Sequence, residues 1–240
     1  GTGGVLLTST NPKTIRSDAD WSFSGFINIT QSGNNLHSLY NDYNPSASLG
    51  GIFLGFKVGV FSQFILIKNG TGGNVAHNTI LSKKLLNNLT HFTINYRSID
   101  RVFNIYIDSV LVDTFTDPTV QTFGLDTNIA YMLRSTVVVT NTRVRGFVRD
   151  FSFFDKQLTE SEISYIYKTG VLPSSSHESC QFHMPLNHIA QVDGVDRLML
   201  DVVNNYDYAK TFPIDNWLDN IFGVFDTTIT DSATNTIEVE

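Results

Sequence analysis

The stretch RGFVRDFSFFDKQLTESEISYIYKTG, residues 145–170, decides the fold of this chain. Its first half is strand-like, and its second half has the start and stop signals of a helix. Thr159 and Glu162 have the T-x-x-E spacing of a capping box. Gly170 stands where a left-handed C-terminal cap is expected. The sequence therefore predicts one short helix near residues 159–169, directly after a strand.

The predicted helix has one apolar face. Ile163, Ile166 and Tyr167 recur at helical spacing, which is typical of a helix packed against a core. Leu158 and Ile163 also have the spacing of a hydrophobic staple, which fixes the angle at which the chain enters the helix.

Alternation of apolar and polar residues dominates the chain before this helix. Such a period of two predicts antiparallel strands with one core face each. The residues assigned to the core face are Trp21, Phe23, Ile27, Ile29, Phe92, Ile94, Tyr96, Phe103, Ile105 and Ile107. Further strands are predicted at 51–58, 63–68, 110–115, 130–133 and 147–154. Many short strands separated by polar turns indicate an all-β, two-sheet antiparallel β-sandwich, or jelly roll.

The pattern changes after Gly170. Residues 171–179 form a Pro- and Ser-rich linker, and 180–188 suit a strand interrupted by Pro185. We therefore expect a sandwich domain over 1–170 and a C-terminal extension over 171–240, with extra strands and an acidic tail, that does not fold independently.

Composition narrows the class of partner. The 240 residues have a net charge of −7, which argues against nucleic acid or anionic lipid as the main partner. No apolar run is long enough to span a bilayer, so we expect no membrane insertion. Cys180 is the single cysteine, so stability must come from the core.

Three stretches resemble the concanavalin A-like, laminin-G-like jelly-roll family. WSFSGFINI (21–29) is similar to its early strand, and THFTINYRSIDRVFNIYIDSVLVDTFT (90–116) to its central meander. Residues 145–170 resemble its closing signature, so the resemblance covers roughly 5–170. It implies a non-catalytic carbohydrate-binding or adhesion module.

Two positions depart from the family pattern. Asp108 and Ser109 replace an Asn-Gly hairpin, and this pair is a poorer former of the type I′ turn. Arg149 replaces an acidic residue, which leaves Asp150 as the calcium candidate. A guanidinium there would repel Ca²⁺, so we expect no cofactor and weak or no calcium binding.

The same superfamily contains glucanases, which use two carboxylates on one strand in an E-x-D-x-x-E pattern. Here no glutamate precedes Glu160. Glu160 and Glu162 lie in the capping turn, where they complement the helix dipole. We therefore expect the chain not to be an enzyme.

One short segment offers possible zinc ligands: His177, Cys180, His183 and His188. On a regular strand Cys180 and His183 would face opposite sides. The sequence favours a plain strand with ordinary histidines.

Sugar binding requires aromatic faces together with amide and carboxylate groups. Two places supply them, a loop after residue 34 and the second face of the strand near residue 105. The candidate ligand-binding residues are His37, Tyr40, Asn41, Asp42 and Tyr43 in the first, and Asn104, Tyr106 and Asp108 in the second. The alternative is an ordinary loop whose tyrosines pack on the sandwich rim.

Two functional classes stay open. The resemblance implies a carbohydrate-binding or adhesion module with a glycan or cell-surface polysaccharide as partner. The composition also suits a structural component of a larger assembly, such as a phage or viral head fibre, capsid decoration or tail protein. Residues 171–240 would then contact virion partners or other copies of the chain. Either class predicts an extracellular, cell-surface or virion-surface location.

Overall fold

Alternating side chains give strands that bury one face against a second sheet. The computed structural model describes residues 5–8, 15–30, 36–41, 52–68, 75–117, 129–132, 146–184, 189–192 and 195–198. In chain order the strands are β1 (Val5–Thr8), β2 (Trp21–Ile29), β3 (Leu36–Asn41), β4 (Ile52–Val58), β5 (Ser62–Lys68), β6 (Val75–Leu81), β7 (Thr90–Arg97), β8 (Val102–Ile107), β9 (Val110–Thr116), β10 (Ile129–Met132), β11 (Gly146–Phe154), β12 (Cys180–Met184), β13 (Ile189–Val192) and β14 (Val195–Leu198). The helices are α1 (Glu160–Thr169) and α2 (Ser174–His177).

The strands form two antiparallel six-stranded sheets and one separate hairpin. The first sheet has the order β1-β10-β3-β4-β5-β6, and the second has the order β12-β11-β2-β7-β8-β9. Strands β13 and β14 pair only with each other among the described residues. The predicted two-sheet jelly-roll sandwich is confirmed.

The core lies between the two sheets. Every residue predicted for the core face is buried there. Aromatic rings meet across the interface, with 5.7 Å between the ring centres of Phe56 and Phe92 and 5.5 Å between those of Phe23 and Tyr40. Rings of this size bury much apolar surface for few rotatable bonds, so they dominate the packing.

Helix α1 covers the outer face of the second sheet. Thr159 and Glu162 form the predicted capping box, and Gly170 ends the helix with a φ of 68°. The buried side of α1 and the segment around it pack against apolar residues of four strands. This outer cluster contains Phe26, Tyr106, Phe154, Leu158, Ile163, Ile166 and Cys180.

Polar side chains of the second sheet fix the segment that leads into α1. The Leu158 N–H donates to Ser22 Oγ at 2.9 Å, and the Asn95 amide donates to the Leu158 carbonyl at 2.8 Å. Ser22 and Asn95 also contact each other at 2.7 Å. Burying these polar groups costs little because each has a partner.

Beyond residue 170 the chain contributes a strand to the sandwich. β12 pairs with β11 at the end of the second sheet, and α2 occupies part of the predicted linker. The sequence predicted one helix, and the four-residue α2 is the second. None of the helices in the described part of the chain is long and apolar enough to cross a bilayer.

We predict that Gly55→Ala lowers the free energy of unfolding by about 2 kcal/mol or more. A Cβ at Gly55 would press on the His37 carbonyl oxygen and lie 2.8 Å from the Phe53 ring. Gly170→Ala is the control, because its Cβ meets nothing within 4 Å and only the φ of 68° is unfavourable, at about 1 kcal/mol. Urea unfolding measures both, and equal losses would contradict the predicted clash.

We also predict that stability falls in two steps on acidification. Burial beneath α1 lowers the pKa of His91 from 6.5 to about 4, and the nearby Asp108 carboxylate offsets only part of this. Within that window the unfolded chain binds a proton and folded His91 does not. The free energy of unfolding should therefore fall by about 3 kcal/mol as the pH drops through it.

The second step comes from Glu162. Burial alone would raise the pKa of Glu162, but the Lys156 ammonium, the Thr159 N–H and the Ser175 hydroxyl lower it from 4.5 to about 2. This stabilisation is present above the unfolded pKa and is lost as the pH falls through that lower window. In urea unfolding across pH, His91→Gln should flatten the upper step alone and Glu162→Gln the lower step alone. A single step removed by neither variant would contradict this assignment.

Candidate functional site

A polar cluster lies where the sandwich opens at the edge strands of both sheets. β6 ends the first sheet and β9 ends the second. His77 and Thr79 of β6 and Asp113 and Phe115 of β9 contact one another across this opening. We call these four residues the edge cluster.

The strand register aims these side chains inward. His77 lies opposite Leu66 on β5, and Leu66 belongs to the core. On the other sheet Asp113 lies opposite the core residue Ile105. A β-bulge between Ile105 and Tyr106 gives β9 one extra residue here. Carboxylate and imidazole groups therefore occupy core-facing positions, but only at the rim.

The edge cluster combines hydrogen bonds with an aromatic stack. His77 Nε2 lies 2.8 Å from Asp113 Oδ2, and the Thr79 hydroxyl donates to the same oxygen. The His77 ring stacks on Phe115 with 3.5 Å between ring centres and 13° between planes. The side chains of His77 and Asp113 are 26% and 23% exposed, so solvent reaches both.

The Asp113 carboxylate has one oxygen that can still accept a hydrogen bond. Both described contacts of the Asp113 carboxylate are at Oδ2, and Oδ1 accepts no hydrogen bond from the described residues. A carboxylate only accepts, so His77 Nε2 donates to Asp113 Oδ2. Phe115 is stacked on Phe103 as well as on His77. The edge cluster can therefore accept a hydroxyl group at Asp113 Oδ1 beside the His77 ring.

The first predicted site is largely a buried strand, so the expected loop location is wrong for three of its residues. His37, Tyr40 and Asn41 belong to β3 and are buried, because β3 lies between β10 and β4 inside the first sheet. The Tyr40 ring packs on Phe23 in the core. Asp42 and Tyr43 lie outside the described residues.

The second predicted site is covered by helix α1. Tyr106 does lie on the second face of β8, but it is buried in the outer cluster. The expectation of an exposed tyrosine there is wrong, because the amphipathic helix needs an apolar surface to cover. Asn104 Oδ1 accepts a hydrogen bond from the Thr114 hydroxyl of β9 at 2.8 Å.

Asp108 supports the turn that it begins. Asp108 and Ser109 have φ values of 50° and 64°, the left-handed conformation that a type I′ turn requires at both positions. The Asp108 carboxylate accepts the His91 N–H at 3.0 Å and contacts the Lys83 ammonium. These bonds replace the conformational freedom that an Asn-Gly pair would supply.

The residues around Asp150 do not fit calcium. Arg149 Nε lies 3.5 Å from Asp150 Oδ2, which brings a positive group to the carboxylate. Burial raises the pKa of Asp150, and Arg149 opposes that effect. In the described part of the chain, no three His, Cys, Asp or Glu side chains are grouped so that they could hold an ion. Calcium prefers several oxygen ligands, and Asp150 supplies one residue.

The possible zinc ligands have other partners. His177 Nε2 lies 3.2 Å from the Leu172 carbonyl oxygen, and His183 Nδ1 lies 2.7 Å from Ser152 Oγ. Cys180 packs in the outer cluster, and His188 lies outside the described residues. The expectation that Cys180 and His183 face opposite sides is wrong. A register shift in the β11–β12 pairing places them opposite Phe154 and Ser152, which share one face of β11.

Sequence reasoning missed the edge cluster. Residues 75–81 were not predicted as a strand, so His77 and Thr79 had no assigned face. The sequence did contain one signal: Asp113 interrupts the apolar pattern VLVDTF of a predicted strand. A carboxylate at such a position requires a partner, because an unpaired buried charge is costly.

Comparison with known proteins gives the family. A sequence model of the concanavalin A-like lectin/glucanases superfamily matches residues 1–164. No curated protein sequence matches the chain.

Two solved structures share the fold. A putative carbohydrate binding protein from Bacteroides ovatus has a TM-score of 0.57 and 14% identity over 84% of this chain and 55% of its own. The receptor binding domain of botulinum neurotoxin D has a TM-score of 0.51 and 16% identity over 70% of this chain and 41% of its own. The chain thus spans about half the length of these relatives or less, and at such identities the likeness concerns the fold alone. Because the family match covers most of the chain and the two-sheet sandwich agrees with it, the protein belongs to the concanavalin A-like lectin/glucanases superfamily.

Proposed function

We propose that this protein is a non-catalytic carbohydrate-binding module that binds a glycan at the edge cluster. The observation behind the proposal is the partly exposed Asp113 carboxylate beside the stacked His77 and Phe115 rings. Sugars present hydroxyl pairs and flat C–H faces, and carboxylate oxygens and aromatic rings are the groups that bind them. Membership of a superfamily that contains lectins supports the same class of ligand.

The described carboxylates favour binding over hydrolysis. Glycosidases need two carboxyl groups that face each other across the scissile bond. No glutamate in the described part of the chain lies on a strand. Glu162 is held by Lys156 at 2.7 Å and by Ser175 at 2.8 Å, so it serves the helix cap.

The charge of the edge cluster favours neutral sugars. Asp113 would repel the carboxylate of a uronic or sialic acid, and it would accept hydrogen bonds from the hydroxyls of a neutral hexose. Lys83 is occupied by Asp108 at the β8–β9 turn, so it does not offset that repulsion at the edge cluster. Asp42 and Tyr43, which lie outside the described residues, remain proposed ligand contacts.

An adhesive role at a cell or virion surface follows from such binding and is part of the proposal.

A structural role in a larger assembly is the second candidate. The observation that favours it is that the family match ends at residue 164, while β12 and the β13–β14 hairpin continue beyond it. Light scattering of the full chain tests this role. A stable oligomer would support it, and a monomer at every concentration would contradict it.

We predict that Asp113→Asn weakens glycan binding about tenfold or more, because a charge-assisted hydrogen bond becomes a neutral one. A glycan array identifies the ligand, and calorimetric titration with that glycan measures the change. Asp155→Asn is the matched control. Asp155 is a carboxylate directly after β11, at the far side of the second sheet, and like Asp113 it accepts a side-chain hydrogen bond, here from Gln181 at 2.7 Å.

The two variants separate a binding role from a general effect of charge. The control should bind as the unchanged protein does, and thermal unfolding should show both variants folded. Equal binding by Asp113→Asn and the unchanged protein would exclude the edge cluster as the site. The absence of binding to any glycan would overturn the proposed function itself.

A further inference from the structure

Exposed apolar side chains gather at one end of the sandwich. Val60 and Phe61, at the β4–β5 turn, are 92% and 62% exposed. Leu89, before β7, and Val110, after the β8–β9 turn, are 42% and 63% exposed. Single exposed apolar residues are ordinary, but several at one end of a domain indicate an interaction surface. We call these four residues and the turns that hold them the apolar end.

Hydrogen bonds tie the three turns together. The Leu85 N–H donates to Ser62 Oγ at 2.9 Å, which joins the β6–β7 connection to the base of the β4–β5 turn. Lys83 Nζ donates to the Leu89 carbonyl at 3.3 Å and contacts the Asp108 carboxylate of the β8–β9 turn. Val60, Leu89 and Val110 therefore belong to one rigid platform.

The apolar end also has the chain's adjacent lysine pair, Lys83 and Lys84. Lys84 is exposed, and the carboxylate beside this platform, Asp108, is paired with Lys83. Several carboxylates lie instead around the opposite end, near the start of β2 and the β7–β8 turn. They are Asp18, Asp20, Asp100 and Asp117. Asp18, Asp100 and Asp117 are paired with Arg16, Arg97 and Arg101. Of the charged groups named here, those outside an ion pair are Asp20 at the opposite end and Lys84 at the apolar end, so the two ends differ in the sign of this charge.

We propose that the apolar end is a docking surface for an anionic phospholipid membrane. Apolar side chains at turn tips can enter the boundary between headgroups and acyl chains, and lysines beside them attract lipid phosphates. The contact is peripheral and needs no spanning segment. It revises the expectation from net charge, because salt screens charges beyond about 10 Å and the charges nearest the membrane therefore decide the attraction.

A second copy of the chain fits this surface less well. A two-fold interface sets a patch against itself, so Lys84 of both copies would lie in the same interface. Juxtaposed like charges oppose association, whereas an anionic lipid surface complements them.

Vesicle co-sedimentation of the full chain tests the proposal. Vesicles of phosphatidylcholine alone are compared with vesicles that also contain phosphatidylserine. The unchanged protein should bind the second kind and lose binding as salt rises from about 0.1 M to about 0.5 M. The double variant Val60→Ser/Phe61→Ser should bind about tenfold more weakly. Lys84→Gln should bind about fivefold more weakly.

Ile99→Ser is the matched control, because Ile99 is 90% exposed on the β7–β8 turn at the opposite end. It should sediment as the unchanged protein does. An equal loss in Ile99→Ser, salt-independent sedimentation, or no sedimentation of the unchanged protein with either vesicle would overturn the proposal. A further contrary result is that the unchanged protein forms a dimer, the double variant does not, and neither binds vesicles. That result would assign the surface to a second copy of the chain. Glycan binding is measured on the same variants. It should be unchanged in all of them, which separates the vesicle test from the carbohydrate site.

Discussion

The hydrogen bonds that Ser22 and Asn95 make to Leu158 hold the start of helix α1 on the second sheet, and the burial of the outer face of that sheet depends on them. Without the helix, Phe26, Tyr106 and other apolar residues of the outer face would be exposed to water. With it, the sheet is buried on one side by the sandwich core and on the other by α1. Burial of that kind leaves little of the second sheet for a ligand, apart from its edge.

This constraint accounts for the position of the candidate site. Because α1 covers the outer face of the second sheet, exposed and well-positioned side chains of that sheet occur at its edge strand and turns. The edge cluster joins β6 and β9, and the apolar end joins three turns at one end of the strands. The edge cluster is polar and contains the stacked His77 and Phe115 rings. The apolar end has exposed apolar side chains beside Lys83 and Lys84. Two such different surfaces on one rigid scaffold suit two different ligands.

Periodicity in the sequence predicted the fold class and the core face of several strands, because the alternation of buried and exposed residues is a local property. Trp21 and Phe92 each predicted their own core face. The edge cluster could not be predicted in this way, because His77 and Asp113 are 36 residues apart and meet only through the order of strands in two sheets. Register shifts also could not be predicted from periodicity. One extra residue in β12 put Cys180 and His183 on one face, although their spacing predicted opposite faces. Tyr40 was misplaced because the segment after residue 34 was assigned to a loop, whereas β3 is an interior strand.

The bulge in β9 and the inward-pointing Asp113 have a consequence for solubility. An edge strand has unpaired backbone N–H and C=O groups that can pair with a strand of another chain. The exposed Val110 and Leu111 would favour such pairing at β9. The extra residue at the bulge breaks the regular spacing of those groups, and a charge within the strand must be desolvated if another strand adds to it. The bulge and the charge of Asp113 should therefore oppose edge-to-edge pairing of β9 with strands of other copies.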